Sequence, residues 1–370
     1  MTAARTAAAY PLLLALGALD ATGYSVIVPV APAIADATGA GPATIGLLVA
    51  AFPAGMVAGF GVAGSAVRRL GPRWLLIASL ALVAVGALGF VVGDSLGAYF
   101  AARTLMGLGS GGIWIGVTFD TLERWPGQEY VCMSRVFAAY SAGGLIGPAL
   151  GAFGGIHRPF LAYLGMLLVA MPLVLFVKPA RRRDLTGDGA VLRTRAFWIA
   201  SGAILFASLA LGVLEGVLPL HLAERVTQAQ IGALYVGASL VVAISATASG
   251  GRPPRPLVIA GVVLAVAGIA LAGIATHVPL WVLALLLAAL GIGLGNTGSL
   301  GLLVEAVPVE RIVTAMVVWS QIGIIGYLLG PLTGGIVAEG AGYGYVWLVP
   351  AAAALLVLAV GRARTRPTAP

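Results

Sequence analysis

Charge is the scarcest property of this sequence. Asp, Glu, Lys and Arg together make up 9% of the 370 residues, against 60% apolar side chains and a mean hydropathy of +1.04. A water-soluble domain carries about 25% charged residues, so this chain does not have the means to cover a water-facing surface. Cysteine is nearly absent. Cys132 stands alone, which excludes an intrachain disulfide and a cysteine-built metal site. Histidine is limited to His157, His221 and His277, all expected near helix ends on one side. That leaves no zinc spacing and no mid-span base to activate a hydrolytic nucleophile. These shortages argue against an enzyme and imply no cofactor and no metal. The net charge of +8 would suit nucleic acid, yet the arginines sit in short loops between apolar runs, where membrane topology accounts for them. Glycine (53) and proline (21) are abundant, a composition that membrane helices tolerate.

Apolar runs that meet the roughly 20 residues needed to cross a bilayer recur along the whole chain. The spacing predicts spans at 8–30, 43–65, 73–92, 96–118, 133–155, 159–177, 196–219, 229–249, 256–276, 279–303, 312–336 and 343–361. The first is too long for the core of a signal peptide and reads as an uncleaved span. The expected fold is an all-α membrane protein of twelve transmembrane helices, arranged as two pseudo-symmetric six-helix bundles around a central cavity. The expected bundles are 1–177 and 196–370, joined by the polar, arginine-rich linker 178–195. Of the 21 basic residues, all but Arg103, Arg158 and Arg225 fall on one side of this alternation. Both termini are therefore expected in the cytoplasm, with the protein multi-pass in the inner (plasma) membrane.

Two glycine-proline signatures lie half a chain apart. The first is Gly143-x-x-x-Gly147-Pro148-x-x-Gly151 and the second is Gly326-x-x-x-Gly330-Pro331-x-x-Gly334; their prolines are 183 positions apart (331 − 148). Gly107 and Gly109 are echoed by Gly291 and Gly293 at a separation of 184 (291 − 107). Glycines every fourth residue line one helix face and permit close helix approach, and the proline bends the helix. A duplicated helical unit in lipid is the sequence pattern of a transporter that works by alternating access.

With these motifs in the fifth and eleventh spans, the chain resembles the major facilitator superfamily, and within it the drug:proton antiporters. Leu19-Asp20-Ala-Thr22 resembles the first-helix motif of that branch, and Arg103 followed by Gly107 and Gly109 resembles its fourth-helix motif. The resemblance implies a proton-coupling role for Asp20 and Arg103. Read by itself, Asp20 lies mid-span with no basic residue at helical spacing, and burial penalises the charged form of a carboxyl. Such a group either exchanges protons and attracts cations or makes a structural hydrogen bond to a neighbouring helix. Arg103 at depth either serves function or snorkels to the headgroups. Glu215, near the outer end of the seventh span, is either a second proton-coupling carboxylate or a headgroup-level residue.

The loop Arg68-Arg69-Leu-Gly71-Pro72-Arg73 resembles the superfamily's signature loop, with Arg68 where the family has an aspartate. A replacement cytoplasmic latch is expected from Asp120, Glu123 or Glu310 pairing with Arg68, Arg69 or Arg311. Tyr24, Trp114, Tyr140, Asn296, Trp319, Gln321 and Tyr327 are candidate cavity residues, the aromatic ones suited to organic cations. The function expected is proton-coupled export of a small lipophilic compound, neutral or cationic, by a monomer whose partners are substrate, protons and the lipid bilayer. A uniporter or proton symporter for sugars or metabolites is the alternative on the same fold.

Overall fold

The computed structural model describes residues 2–125, 128–176, 192, 194–308 and 311–363. Most of the linker 178–195 and the gate candidate Glu310 lie outside them. The described chain is helical with short connections: α1 (Thr2–Ser25), α2 (Ala31–Thr38), α3 (Pro42–Leu70), α4 (Pro72–Val92), α5 (Leu96–Arg124), α6 (Glu129–Gly151) and α7 (His157–Phe176). These are followed by α8 (Arg195–Gly216), α9 (Leu218–Ala223), α10 (Gln228–Ala248), α11 (Pro254–Ile274), α12 (Val278–Ala306), α13 (Ile312–Ala341) and α14 (Leu348–Ala363). Each of the twelve expected spans corresponds to one long helix. Eight helices are long and apolar enough to cross a membrane on length and composition alone among the described residues. α5, with Arg103, Asp120 and Arg124, is not one of those eight. Large apolar side chains such as Val62, Val92 and Val169 stand exposed on the helix surfaces, as suits a lipid solvent.

Helix boundaries follow local chemistry. Pro42, Pro72 and Pro254 occupy first-turn positions, where a missing N–H costs nothing. Gly71 adopts φ +82°, the left-handed turn between α3 and α4. The Ser95 and Thr194 hydroxyls cap α5 and α8 by accepting from Ala98 N and Phe197 N. The first span departs from expectation: α1 stops at Ser25, and 26–30 form a turn. Pro29 has no N–H to continue the ladder, and the chain re-enters a helix only at Ala31.

The chain divides into two compact units. Unit 1 comprises Met1–Leu185 together with Leu222–Val236, and unit 2 comprises Thr186–His221 and Gly237–Pro370. In unit 1, α5 packs between α3 and α4, α1 packs on α6, and α4 packs on α7. Within this unit the Gln228 side chain closes the end of α6, donating to Gly151 O (2.8 Å) and Gly155 O (3.0 Å) and accepting from Gly155 N (2.9 Å). In unit 2, α11 packs on α12, and α8 packs on both α13 and α12.

The repeated glycines perform the same task in each unit. A Cβ at Gly143, Gly147 or Gly151 would collide with Ala18 O, Ser25 Oγ or Pro29 of the α1 chain. A Cβ at Gly326 or Gly330 would meet Leu205 O or Leu209 O of α8. The signature thus forms a seam of backbone on backbone, α6 on α1 in one unit and α13 on α8 in the other. Pro331 completes the second seam by resting against Gly212 and Gly216. Gly107 faces α3 and Gly109 faces α4, while Gly291 faces α11 and Gly293 faces α10.

Candidate functional site

The polar centre of unit 1 is Asp20, only 2% exposed in the middle of α1. Its Oδ2 accepts from Ser110 Oγ of α5 and from Tyr140 OH of α6, both at 2.9 Å. Its Oδ1 has no hydrogen-bond partner among the described residues. Two hydroxyls from two different helices therefore converge on one carboxyl oxygen and leave the other bare. Tyr140 is half-buried and reaches Asp20 over Gly17, where a Cβ would lie 2.9 Å from its ring. The Trp114 ring meets Tyr140 edge-on at 5.0 Å and packs on Phe137 at 5.2 Å. Ser110 Oγ also lies 3.6 Å from Met56 Sδ of α3.

Beside the next turn of α1, Arg103 of α5 is fully buried. Its Nη1 donates to Gly23 O (2.9 Å) and its Nη2 to Tyr24 O (2.8 Å). The last carbonyls of a helix have no intrahelical donor, and α1 ends at Ser25. The guanidinium therefore caps a helix terminus belonging to another helix. Its planar fork spans two consecutive carbonyls, and it lies 4.6 Å from the Phe52 ring centre and 5.5 Å from that of Tyr24. Tyr24 itself sits edge-on to Phe52.

Thr22 and Ser25 join this centre to the glycine seam. Thr22 Oγ1 donates to Ala18 O (2.8 Å) with a longer contact to Gly143 O (3.4 Å), and Ser25 Oγ donates to Ala21 O (2.9 Å) with Gly143 O at 3.3 Å. The first-helix motif and the fifth-span motif are thus in direct contact.

In unit 2, Glu215 is 7% exposed on α8 and lies within electrostatic range of Tyr327 on α13. It sits between Gly212 and Gly216, which admit Pro331, so it is embedded in the helix seam. Trp319 is 5% exposed, and its Nε1 donates to Ser299 Oγ (2.9 Å), which donates to Ala200 O (2.8 Å). This chain of bonds ties α13, α12 and α8 together. Asn296 and Gln321 are half-buried on α12 and α13.

At the far end of α5, Asp120 receives a bidentate ion pair from Arg124, with Nε to Oδ2 at 2.6 Å and Nη2 to Oδ1 at 3.0 Å. Arg68 and Arg69 are exposed in the last turn of α3, Glu123 is half-buried on α5, and Arg311 is half-buried at the start of α13. Arg73, one residue into α4, donates from Nη2 to Leu175 O (2.6 Å) and so ties α4 to the end of α7.

Reading by sequence missed Ser110, Arg124 and Tyr163 of α7, whose buried hydroxyl lies against Gly23 of α1. Ser110 is seven residues from Arg103 on the same face of α5, a detectable spacing, and Arg124 is four residues from Asp120. Tyr163 has no polar neighbour in sequence and gives no such signal.

Long apolar helices that bury ionisable groups such as Asp20 and Arg103 between them define a polytopic membrane protein. The family model of the Major Facilitator Superfamily matches residues 13–252 and 200–370, and the chain belongs to that family. Its members are transporters of small molecules, not enzymes. Among curated proteins, the chain is 30% identical over 159 residues to multidrug resistance protein 2 of Bacillus subtilis, covering 42% of this chain and 40% of that protein. It is 27% identical over 165 residues to the quinolone resistance protein NorA of Staphylococcus aureus, covering 43% and 42%. These matches span about two-fifths of the relatives' length. Among solved structures, a D-xylose-proton symporter aligns with TM-score 0.80 at 14% identity over 96% of this chain and 97% of that one. A bacterial homolog of the human lysosomal transporter Spinster, inward-facing and unoccupied, aligns with TM-score 0.75 at 15% identity over 97% and 93%. At these identities the structural likeness shows the fold.

Proposed function

We propose that the protein is a proton-coupled exporter of small lipophilic compounds, cations among them, working by alternating access. The observation that carries this reading is the half-satisfied carboxyl of Asp20: two hydroxyls on Oδ2, none on Oδ1, and 2% exposure. A carboxyl at that depth is costly unless it has work to do. Its free oxygen can hold a proton, and its ionised form attracts a cation. The Tyr140 and Trp114 rings beside it offer faces that suit organic cations. Proton and substrate then compete for Asp20, and each shifts the equilibrium between inward- and outward-open states by its differential affinity for the two. The multidrug and quinolone resistance proteins among the relatives support efflux as the direction.

Arg103 fixes the end of α1 and so the position of Asp20, and Glu215 supplies a second carboxylate in the other unit. The arginine asymmetry supports cytoplasmic termini in the inner membrane. The six-helix halves 1–177 and 196–370, with the linker 178–195 between them, are the moving bodies of this scheme.

The test is reconstitution in liposomes with an imposed pH gradient, following lumenal pH as lipophilic cations, neutral drugs and sugars are added to wild type and Asp20→Asn. Substrate-dependent proton flux that disappears in the variant supports the reading. Flux that is unchanged in the variant moves coupling away from Asp20. Flux driven by sugars alone favours the symporter, and substrate equilibration without proton flux favours a uniporter.

A further inference from the structure

Asp20 is flanked three residues before and three residues after by glycines, Gly17 and Gly23. Both lie on its side of the helix at i ± 3, and each admits a tyrosine. Tyr140 enters over Gly17 and donates to Oδ2. Tyr163, from α7, enters over Gly23, where a Cβ would overlap its hydroxyl. The two rings therefore meet α1 about one turn before and one turn after the carboxyl. Tyr140 is bonded, whereas the Tyr163 hydroxyl is buried in a side chain of 0% exposure and has no partner among the described residues. It lies within electrostatic range of both Asp20 and Arg103. Leaving a buried phenol unpaired is costly, and a native exception of this kind calls for an explanation.

The two unpartnered atoms explain each other. Ser110 and Tyr140 both spend their protons on Oδ2, so an incoming proton goes to Oδ1, the oxygen with no donor. The resulting O–H needs an acceptor. A phenolic oxygen can accept as well as donate, and the Arg103 guanidinium, which faces the same turn, has no lone pair to offer. Met56 and Phe52 of α3 bring no ionisable group.

We propose that the Tyr163 hydroxyl accepts the hydrogen bond of protonated Asp20 and is a positioning residue for the proton on Oδ1. No hydrogen bond joins the two in the present conformation, so the bond forms when the proton arrives. This inference rests on Asp20 being the proton-carrying group.

The experiment is infrared difference spectroscopy between acidic and alkaline pH on the reconstituted full chain. The carboxylic-acid C=O band of Asp20 is identified as the one missing in Asp20→Asn. The expected result is a displaced band in Tyr163→Phe, which keeps the ring and its packing. Gly23→Ala, which pushes the intact hydroxyl away from α1, gives the same displacement and serves as the second variant should Tyr163→Phe not fold. An Asp20 band at the wild-type position in both variants overturns the inference and leaves proton coupling at Asp20 standing. If no acid band vanishes in Asp20→Asn, Asp20 takes up no proton, and both the inference and the coupling reading fall.

Discussion

Gly147 meets Ser25 with no side chain between them: a Cβ at Gly147 would run into Ser25 Oγ, and it would also lie 2.7 Å from Val26 N and 2.8 Å from Thr22 O. Two of these three neighbours are backbone atoms and cannot rotate away. The α1–α6 seam is therefore set by main-chain contact.

Gly147→Ala is expected to destabilise the protein by about 1–3 kcal/mol, the usual cost of overpacking. Gly144, one turn before Pro148 on the same helix, has open space where a methyl group would sit, so Gly144→Ala is expected to be neutral within about 0.5 kcal/mol. Thermal unfolding of the two variants in detergent distinguishes seam packing from a general intolerance of alanine in α6.

Arg103→Lys is expected to fail as a conservative change. A lysine brings one point charge where the guanidinium fork serves two carbonyls. Arg103→Ala leaves Gly23 O and Tyr24 O without their donors, at about 1–3 kcal/mol for each buried group. Melting temperature and proton-coupled flux should both fall in the order wild type, Lys, Ala. Equal stability of wild type and Ala would show that the capping of α1 contributes nothing.

Arg124→Ala removes the bidentate partner of Asp120, which is 3% exposed. Removing one member of a buried pair costs about 3–5 kcal/mol. Replacing both, as Asp120→Asn with Arg124→Gln, is expected to cost less than the single change. A double-mutant cycle on thermal stability reads the coupling directly, and additive costs would remove the pair from the account of α5.

Ser110→Ala and Tyr140→Phe each delete one donor to Asp20 Oδ2 and leave the other. A hydrogen bond to a charged group contributes about 1.5–3 kcal/mol, so each single variant is expected to lose proton-coupled flux by roughly tenfold, and the double variant by more than either. Flux assays at several lumenal pH values separate this from misfolding. Wild-type flux in the double variant would detach the hydroxyls from coupling.

Much of the fold was legible in the sequence because lipid imposes one strong pattern: long apolar runs, broken at Gly, Pro or charge. The twelve expected spans correspond to twelve long helices, and the repeated glycines pointed to helix packing. The miss at the end of α1 has a local cause. Residues 26–30 are as apolar as a helix, and hydropathy cannot register that Pro29 lacks an N–H and that Arg103 supplies the missing cap. The sequence named Asp20, Arg103, Tyr24, Trp114 and Tyr140 as candidates but not how they meet. Asp20 announces itself by charge in lipid, whereas Ser110 and Tyr140 reach it from two other helices. Spacing along one helix carries no information about partners across helices. The Asp120–Arg124 pair is the opposite case, since its i, i+4 spacing was readable, although the expectation for Asp120 looked instead to Arg68, Arg69 and Arg311.

The seam of Gly143, Gly147 and Gly151 repeats every four residues, about 6 Å of helix. A slide of α6 along α1 by a fraction of that distance would take the glycines out of register with the α1 backbone they touch. A slide by a whole repeat would restore glycine opposite backbone but bring Pro148 to a new place. The seam is therefore a toothed contact that resists sliding, and it holds Tyr140 of α6 in register with Asp20 of α1.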